Sequence, residues 1–232
     1  MSNWKNGVKA MPTALIIGAS RGIGHEFARQ YKAAGWRVIA TARKSDDLAQ
    51  LTAHGCEALP LDVNNLNDCA GLAWRLDDEK IDVAILNAGV FGSRTNGLQS
   101  PQQEEFDQVM HTNVLAAMRL LPLVLPMVEN ASGKLVVLSS RMGSIGLREN
   151  NVAWLYRASK AALNSVLKDA SLSTQKATCI AFHPGWVQTD MGGAGAEISV
   201  DVSVTGMREV IANSSRAQNG QFLSYDGASL DW

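Results

Sequence analysis

The segment GASRGIG occupies Gly18–Gly24, directly after the apolar run TALIIG at Thr13–Gly18 and directly before an amphipathic stretch that ends near Gly35. The run before it has the composition of a buried strand, and the stretch after it has the periodicity of a helix. Its glycines follow a G-x3-G-x-G spacing. Glycine permits a tight turn and lets backbone N–H groups at a helix N-terminus approach a phosphate. The segment therefore predicts a phosphate-binding strand-to-helix turn, with a purely structural turn as the alternative.

Strand and helix patterns alternate along the rest of the chain. Helices are predicted over residues 25–35, 44–54, 66–78 and 100–128, the last with Ser100 as N-cap and Pro101 as its first residue. Apolar strands separated by helices indicate a parallel sheet covered on both faces. We therefore expect one α/β domain over residues 1–232, a Rossmann-type doubly wound parallel sheet of about seven strands, with residues 1–11 as a poorly ordered extension. The later strands are WRVIATA (36–42), CEALPLDV (56–63), IDVAILNAG (81–89), KLVVLSS (134–140), TCIAFHPG (178–185) and GQFLSYDG (220–227).

The composition limits the possible partners and the compartment. The chain has 232 residues, 46% of them hydrophobic, and a formal net charge of −1, which argues against nucleic acid as a partner. The N-terminus lacks the apolar core of a signal peptide, and no run approaches the roughly 18 apolar residues of a membrane span. We therefore expect a cytoplasmic protein that does not enter a membrane.

The cysteines and histidines show no metal-binding pattern. Cys56, Cys69 and Cys179 form no CxxC pair, and we interpret them as reduced structural thiols. The four histidines show no ligand spacing such as HExxH. No metal is expected.

Four motifs together resemble the short-chain dehydrogenase/reductase family. They are GASRGIG (18–24), NAG (87–89), YRASK (156–160) and HPGWVQTDM (183–191), and their order and approximate spacing match the family over all but about ten N-terminal residues. Shorter features, SSRMGSI (139–145), YRASKAALN (156–164) and YDGASLDW (225–232), resemble the branch of C-factor and sniffer-type carbonyl reductases. The resemblance implies a homo-oligomer, a dimer or a tetramer, and a small-molecule carbonyl substrate.

The end of the second strand indicates the dinucleotide. An acidic residue there usually holds the ribose of NAD, but this chain has Ala42 at that position, followed by Arg43, with Arg21 in the glycine segment. Two guanidinium groups suit a 2′-phosphate, so we predict NADP(H); the alternative is that both arginines are solvated surface residues. The cofactor-binding residues that the resemblance implies are Gly18, Ser20, Arg21, Gly22, Ile23, Gly24, Arg43, Asp62, Val63, Asn87, Ala88, Gly89, Tyr156, Lys160, Pro184, Gly185, Val187 and Thr189.

Tyr156 and Lys160 stand four positions apart, so on a helix they share one face. A tyrosine with a pKa near 10 is a good proton donor at neutral pH, and a neighbouring lysine would lower that pKa. The pair therefore predicts proton donation to a carbonyl oxygen, and the resemblance implies that Lys160 also holds the nicotinamide ribose. The alternative is a packing tyrosine beside a lysine that reaches to solvent.

The resemblance implies two further catalytic residues, Ser140 and Asn113. Ser140 ends the fifth strand, 16 residues before Tyr156, whereas the family often has this serine 13 residues before the tyrosine, where this chain has Gly143. We infer a loop that is three residues longer, with Ser139 and Ser144 as lesser candidates. Asn113 matches an asparagine in a locally distorted helix, whose main chain would hold a water against the lysine.

The substrate pocket is expected to be lined by Phe91, residues 141–152, Trp154, Trp186 and residues 191–198. The glycine-rich segment 191–198 predicts a mobile, poorly enclosing cover, and Arg148 could attract an anion or be a solvated surface residue. We expect reduction of a ketone or an aldehyde. The alternatives are a dinucleotide-binding regulatory protein of C-factor type and a quinone or pterin reductase.

Overall fold

The computed structural model describes residues 11–193 and 195–232, in which seven parallel strands form one sheet in the order β3-β2-β1-β4-β5-β6-β7. This confirms the predicted doubly wound α/β fold with seven strands, whereas the predicted extension, residues 1–11, lies outside the described residues except for Met11. The strands are β1 Thr13–Ile17, β2 Arg37–Ala42, β3 Glu57–Pro60, β4 Val83–Leu86, β5 Lys134–Leu138, β6 Thr178–His183 and β7 Gln221–Ser224.

Helices cover both faces of the sheet because successive strand residues point to opposite sides. Leu15 and Ile17 of β1 pack into one apolar core, whereas Ala14 and Ile16 pack into the other. The first core contains residues of α3, α5 and α6, and the second contains residues of α1, α2 and α7. The helices are α1 Gly22–Ala33, α2 Ser45–Ala53, α3 Leu66–Arg75, α4 Gln103–Met110, α5 Ala116–Ala131, α6 Trp154–Leu172 and α7 Val200–Asn213.

The strand order reverses at β1, which pairs with both β2 and β4. The chain therefore leaves the carboxyl ends of β1 and β4 in opposite directions and opens a crevice between them, the usual ligand site of such sheets. Residue Gly18 follows β1 and Asn87 follows β4, so two of the predicted motifs face this crevice.

The observed start of α4 corrects the predicted first residue of this helix and its predicted N-cap. The helix predicted to begin at Pro101 begins at Gln103, so Ser100 is not its N-cap. A five-residue π-helical turn, His111–Leu115, then joins α4 to α5, which agrees with the local distortion expected around Asn113. Helix α7 was not predicted.

The continuous helical segment Gln103–Ala131 is long and apolar enough to cross a membrane by length and composition, which the sequence analysis did not anticipate. In the described structure its C-terminal part, α5, buries Leu120, Val124 and Val128 in the core beneath the sheet. The core helix of a soluble protein meets the same two criteria.

Candidate active site

The glycine segment forms a tight turn between β1 and α1. Gly18 and Gly22 have φ of 88° and 55°, a region that glycine enters without strain. A Cβ on Gly18 would lie 2.9 Å from the Ala88 nitrogen, and the Asn87 Nδ2 donates a hydrogen bond of 2.7 Å to the Gly18 carbonyl. The turn after β4 therefore packs directly on the turn after β1.

The N-terminus of α1 has free backbone donors. Its N-cap residue, Arg21, makes no side-chain hydrogen bond to the first turn, although helix N-termini leave unpaired N–H groups. Such a terminus beside close-packed glycines is suited to hold phosphate groups.

A cavity of about 530 Å³ opens at this turn. It extends along the carboxyl ends of β2, β3, β4 and β5 to Tyr156 and Lys160 of α6. Most of the predicted cofactor residues line it, namely Gly18, Ser20, Arg21, Gly22, Ile23, Arg43, Asp62, Val63, Asn87, Ala88, Gly89, Tyr156, Lys160, Pro184 and Thr189.

Three predicted cofactor residues lie elsewhere. Gly24 packs inside the turn, where a Cβ would touch the Gly18 carbonyl and lie 2.6 Å from Asn87 Nδ2; it shapes the turn and does not line the cavity. Gly185 and Val187 line a neighbouring cavity instead, whereas Pro184 before them and Thr189 after them line the first.

Several residues of the cavity wall were not predicted. The Thr41 Oγ1 accepts a hydrogen bond of 3.1 Å from the Gly18 nitrogen, and the Asn64 Nδ2 donates one of 3.0 Å to the Thr112 hydroxyl. The position of Thr41 near the end of β2 could have predicted it, and Asn64 directly follows Val63. Nothing in the sequence predicts the contact between Thr112 and Asn64, because it depends on where the π-helical turn after α4 lies relative to the segment after β3.

The two predicted phosphate-binding arginines differ in their contacts. The Arg21 Nη1 lies 2.7 Å from the Asp190 Oδ2, and both side chains are about four-fifths exposed. Within residues 11–193 and 195–232, Arg43 makes no side-chain hydrogen bond or ion pair, and it lines the cavity at the end of β2. Arg43 is therefore the freer of the two guanidinium groups for an anion.

A second cavity, of about 710 Å³, adjoins the first. Tyr156, Ser139, Thr189 and Met191 belong to the walls of both. As predicted, the other lining residues include Phe91, Arg141, Met142, Leu147, Glu149, Asn150, Val152, Trp186 and Gly192.

Trp154 is absent from this wall, and so are Arg148, Asn151 and residues 143–146 of the predicted loop, contrary to prediction. The Trp154 Nε1 donates to the Gln99 carbonyl at 2.8 Å, which directs the indole away. Of the described residues of the predicted cover, only Met191 and Gly192 line the cavity. The far end of the cover is held to the Trp186 carbonyl by hydrogen bonds from the nitrogens of Glu197 and Ile198.

Helix α6 brings Tyr156 and Lys160 into the crevice, where both are buried. The Lys160 Nζ donates a hydrogen bond of 2.8 Å to the Leu138 carbonyl and lies 5.7 Å from the centre of the Tyr156 ring. The Phe91 ring stacks on Tyr156 with centroids 4.4 Å apart. The phenol is thus fixed between an aromatic wall and a buried cation.

Burial, and not Lys160, sets the direction of the pKa shift of the Tyr156 phenol. Desolvation raises the pKa of Tyr156 to about 12, opposed by a hydrogen bond with Ser140. Desolvation also lowers the pKa of Lys160 to about 8. Lys160 is not among the causes of the shift in the Tyr156 pKa, so the predicted effect of Lys160 on the phenol is not seen here and stays a prediction for the cofactor-bound protein.

Ser140 is the serine best placed beside Tyr156. Ser139 and Ser140 line the second cavity, whereas Ser144 does not. Ser139 donates its hydroxyl hydrogen to Asn164, whereas the Ser140 hydroxyl accepts a hydrogen bond of 3.2 Å from the Met142 nitrogen, which leaves its own hydrogen able to donate. A Cβ on Gly143 would lie 2.8 Å from the Lys160 carbonyl carbon, so a side chain there would need the chain to shift. These contacts support the longer loop inferred from the sequence.

Asn113 fastens the turn after β4 to helix α6. Its Oδ1 accepts from the Val90 nitrogen at 2.8 Å, and its Nδ2 donates to the Val90 carbonyl at 2.8 Å and to the Ser159 hydroxyl at 2.9 Å. Asn113 lies in the π-helical turn and is buried behind Gly89. The side chain therefore supports the wall of the first cavity from behind.

The model of the family described as short chain dehydrogenase matches residues 12–198. The chain belongs to this family. The C-signal of Myxococcus xanthus is 35% identical over 155 residues, which cover 66% of this chain and 93% of that protein. The family and the C-factor and sniffer-type branch suggested by the sequence motifs are thereby confirmed.

Two solved structures extend the likeness to nearly the whole chain. The carbonyl reductase Sniffer of Drosophila melanogaster aligns with a TM-score of 0.88 at 28% identity, covering 96% of this chain and 100% of the other. A carbonyl reductase from Pseudomonas aeruginosa PAO1 in complex with NADP aligns with a TM-score of 0.84 at 31% identity, with the same coverage.

Proposed function

We propose that the protein is an NADPH-dependent oxidoreductase that reduces a ketone or an aldehyde to an alcohol, with Tyr156 as the proton donor. The observation that carries the proposal is that Tyr156 belongs to the walls of both cavities. A dinucleotide in the first cavity and a carbonyl compound in the second would meet at this hydroxyl. The likeness to two carbonyl reductases, one of them in complex with NADP, supports the same assignment.

The chain's own groups fit NADPH in the first cavity. The uncapped N-terminus of α1 and the turn at Gly18 and Gly22 would hold the pyrophosphate. Arg43 would bind the 2′-phosphate by charge-assisted hydrogen bonds. When bound, NADPH supplies the hydride for the reduction.

The polar groups at Tyr156 fit the reductive direction. The phenol, with a pKa of about 12, stays protonated at neutral pH and can give its proton to the oxygen that develops negative charge. The Ser140 hydroxyl, which lines the second cavity together with Tyr156, would donate a hydrogen bond to the same oxygen. Lys160 would hold the ribose of the cofactor, and the main chain at Asn113 would hold a water that returns a proton from solvent.

A screen for NADPH oxidation across aldehydes, ketones, diketones and quinones tests this proposal. We expect turnover of at least one class with NADPH, and much weaker turnover with NADH. The likeness to C-signal keeps a second candidate, a dinucleotide-binding regulatory protein. Tight NADPH binding without turnover of any class would favour that candidate.

We expect the substrate to be a small molecule, without nucleic acid as a partner. A cytoplasmic location without membrane insertion remains a prediction from the sequence.

A further inference from the structure

The second cavity carries an excess of positive charge. Among the described residues, its lining contains Arg94, Arg141 and Arg157 and a single carboxylate, Glu149. One carboxylate does not cancel the charge of three guanidinium groups.

Two of these arginines are occupied by the protein itself. The Arg94 Nη2 donates to the Met191 carbonyl at 2.7 Å, with the guanidinium 4.9 Å from the centre of the Phe91 ring. The buried Arg157 donates to the Val152 carbonyl at 2.8 Å and to the Asn150 Oδ1 at 2.6 Å. Both therefore build the wall and hold neighbouring loops.

Arg141 differs from them. It directly follows Ser140, is exposed, and its side chain makes no hydrogen bond or ion pair in the described part of the chain. Its charge reaches His183 at the end of β6, in the same cavity wall: burial and, to a smaller extent, the Arg141 charge lower the pKa of His183 to about 4, against the opposite effect of Asp226. Arg141 thus offers a free guanidinium beside the proposed carbonyl site, next to a neutral imidazole.

We propose that the second cavity selects carbonyl compounds that carry a carboxylate, and that Arg141 binds this carboxylate. The inference rests on the proposed carbonyl reduction, since it assigns the substrate class of that site. A guanidinium presents paired N–H donors that match the two oxygens of a carboxylate. Arg148, the arginine that the sequence analysis considered for an anion, does not line the cavity.

The test compares acids with their neutral esters. The substrates are the 2-, 3- and 4-carboxybenzaldehydes and their methyl esters, and the measurement is the ratio of kcat/KM for acid over ester. We expect wild type to prefer at least one acid, and Arg141→Met to lower that ratio about tenfold, the effect of one charged hydrogen bond. The control is Arg148→Met, which removes the same charge from the same loop and should leave the ratio unchanged.

The outcomes separate the inference from the proposed function. Reduction of the esters without preference for any acid, or an equal loss of preference in both variants, would overturn the inference and leave carbonyl reduction intact. If none of the aldehydes is reduced, calorimetry with the three carboxybenzyl alcohols and NADPH-saturated protein decides. If wild type binds one of these alcohols and Arg141→Met weakens that binding about tenfold, the inference holds although the proposed function fails. If wild type binds none of the alcohols, the inference is overturned.

Discussion

At the scale of single residues, the two arginines of the cofactor cavity have different surroundings. Arg21 is paired with Asp190 at 2.7 Å, whereas Arg43 has no such partner in the described residues and faces the cavity. An exposed ion pair contributes little stability, but it removes a positive charge from the phosphate site. Discrimination between NADPH and NADH should therefore depend mainly on Arg43.

We predict that Arg43→Ala weakens NADPH binding about tenfold or more and leaves NADH binding nearly unchanged, since a hydrogen bond to a charged group contributes about 1.5–3 kcal/mol. Asp190→Asn should strengthen NADPH binding a few-fold by releasing Arg21. Fluorescence titration with both nucleotides measures this. The control is Lys44→Ala, a neighbouring charge outside the cavity wall. An unchanged preference in Arg43→Ala would contradict the assignment.

Two glycines in helices should respond oppositely to an added methyl group. A Cβ on Gly24 would meet the Gly18 carbonyl and Asn87, whereas Gly71 in α3 has open space within 4 Å. Gly24→Ala should lower the free energy of unfolding by about 1–3 kcal/mol. Gly71→Ala, the control, should raise it by up to about 1 kcal/mol. Urea unfolding measures both, and equal effects would mean that the turn is not close-packed.

Some residue-level properties could be predicted and others could not. Ser140 could be placed because it follows β5, which ends at Leu138, and the residues after a parallel strand face the ligand crevice. The raised pKa of Tyr156 could not be predicted, because it depends on how far the folded chain excludes water from the phenol. The pairing of Arg21 with Asp190 depends on how the chain after β6 folds back.

At the scale of secondary-structure elements, the missed boundaries have tertiary causes. Ser100-Pro101 has the composition of a helix start, yet α4 begins at Gln103, with no side-chain cap on its first turn. Glu105 of that first turn accepts a hydrogen bond from the Ser93 nitrogen, which ties the helix to the turn after β4. Helix α7 contains valines, a threonine and a glycine in its first half, a composition with low helix propensity, and its burial against α1 offsets that preference.

His183, at the end of β6, should make the stability of the protein depend on pH. Burial lowers the pKa of His183 to about 4, and its buried Nδ1 has no hydrogen-bond partner among the described residues. The unfolded chain, with a histidine pKa near 6.5, binds the proton first as the pH falls. This contribution to stability is therefore complete above about pH 6.5 and is lost as the pH falls to about 4.

We predict that His183→Gln reduces this pH dependence. Between pH 7.5 and pH 4.5 wild type should lose about 1–3 kcal/mol more of its unfolding free energy than the variant. Urea unfolding at both pH values measures the difference, and His111→Gln, on the exposed side of the π-helical turn, is the control. Equal losses in wild type and His183→Gln would show that His183 is not the group responsible.

At the scale of the whole molecule, the parallel sheet of seven strands followed from the alternation of strand and helix patterns around GASRGIG, because parallel strands require crossover connections. The order of the strands was not predicted. The two adjoining cavities could not be predicted, since their boundary depends on which side chains after β4, β5 and β6 turn inward. Tyr156 lies in the walls of both cavities, so the fold places it where the cofactor and the carbonyl compound of the proposed reaction would meet.

The homo-oligomer remains a prediction from the family resemblance. For a chain of 24.9 kDa, we expect sedimentation equilibrium at micromolar concentration to give about two or four times the chain mass, as closed symmetric assemblies require. A single species at the mass of one chain would contradict it.

The most direct test of the central claim, that the Tyr156 hydroxyl donates the proton, is the rate of carbonyl reduction by Tyr156→Phe together with its NADPH affinity. The ring would still stack on Phe91, so we predict that kcat falls about 100-fold or more while the NADPH Kd stays within about twofold. Tyr225→Phe, a hydroxyl outside both cavity walls, should keep wild-type activity. A Tyr156→Phe protein that reduces its best substrate at a near-wild-type rate would contradict the account.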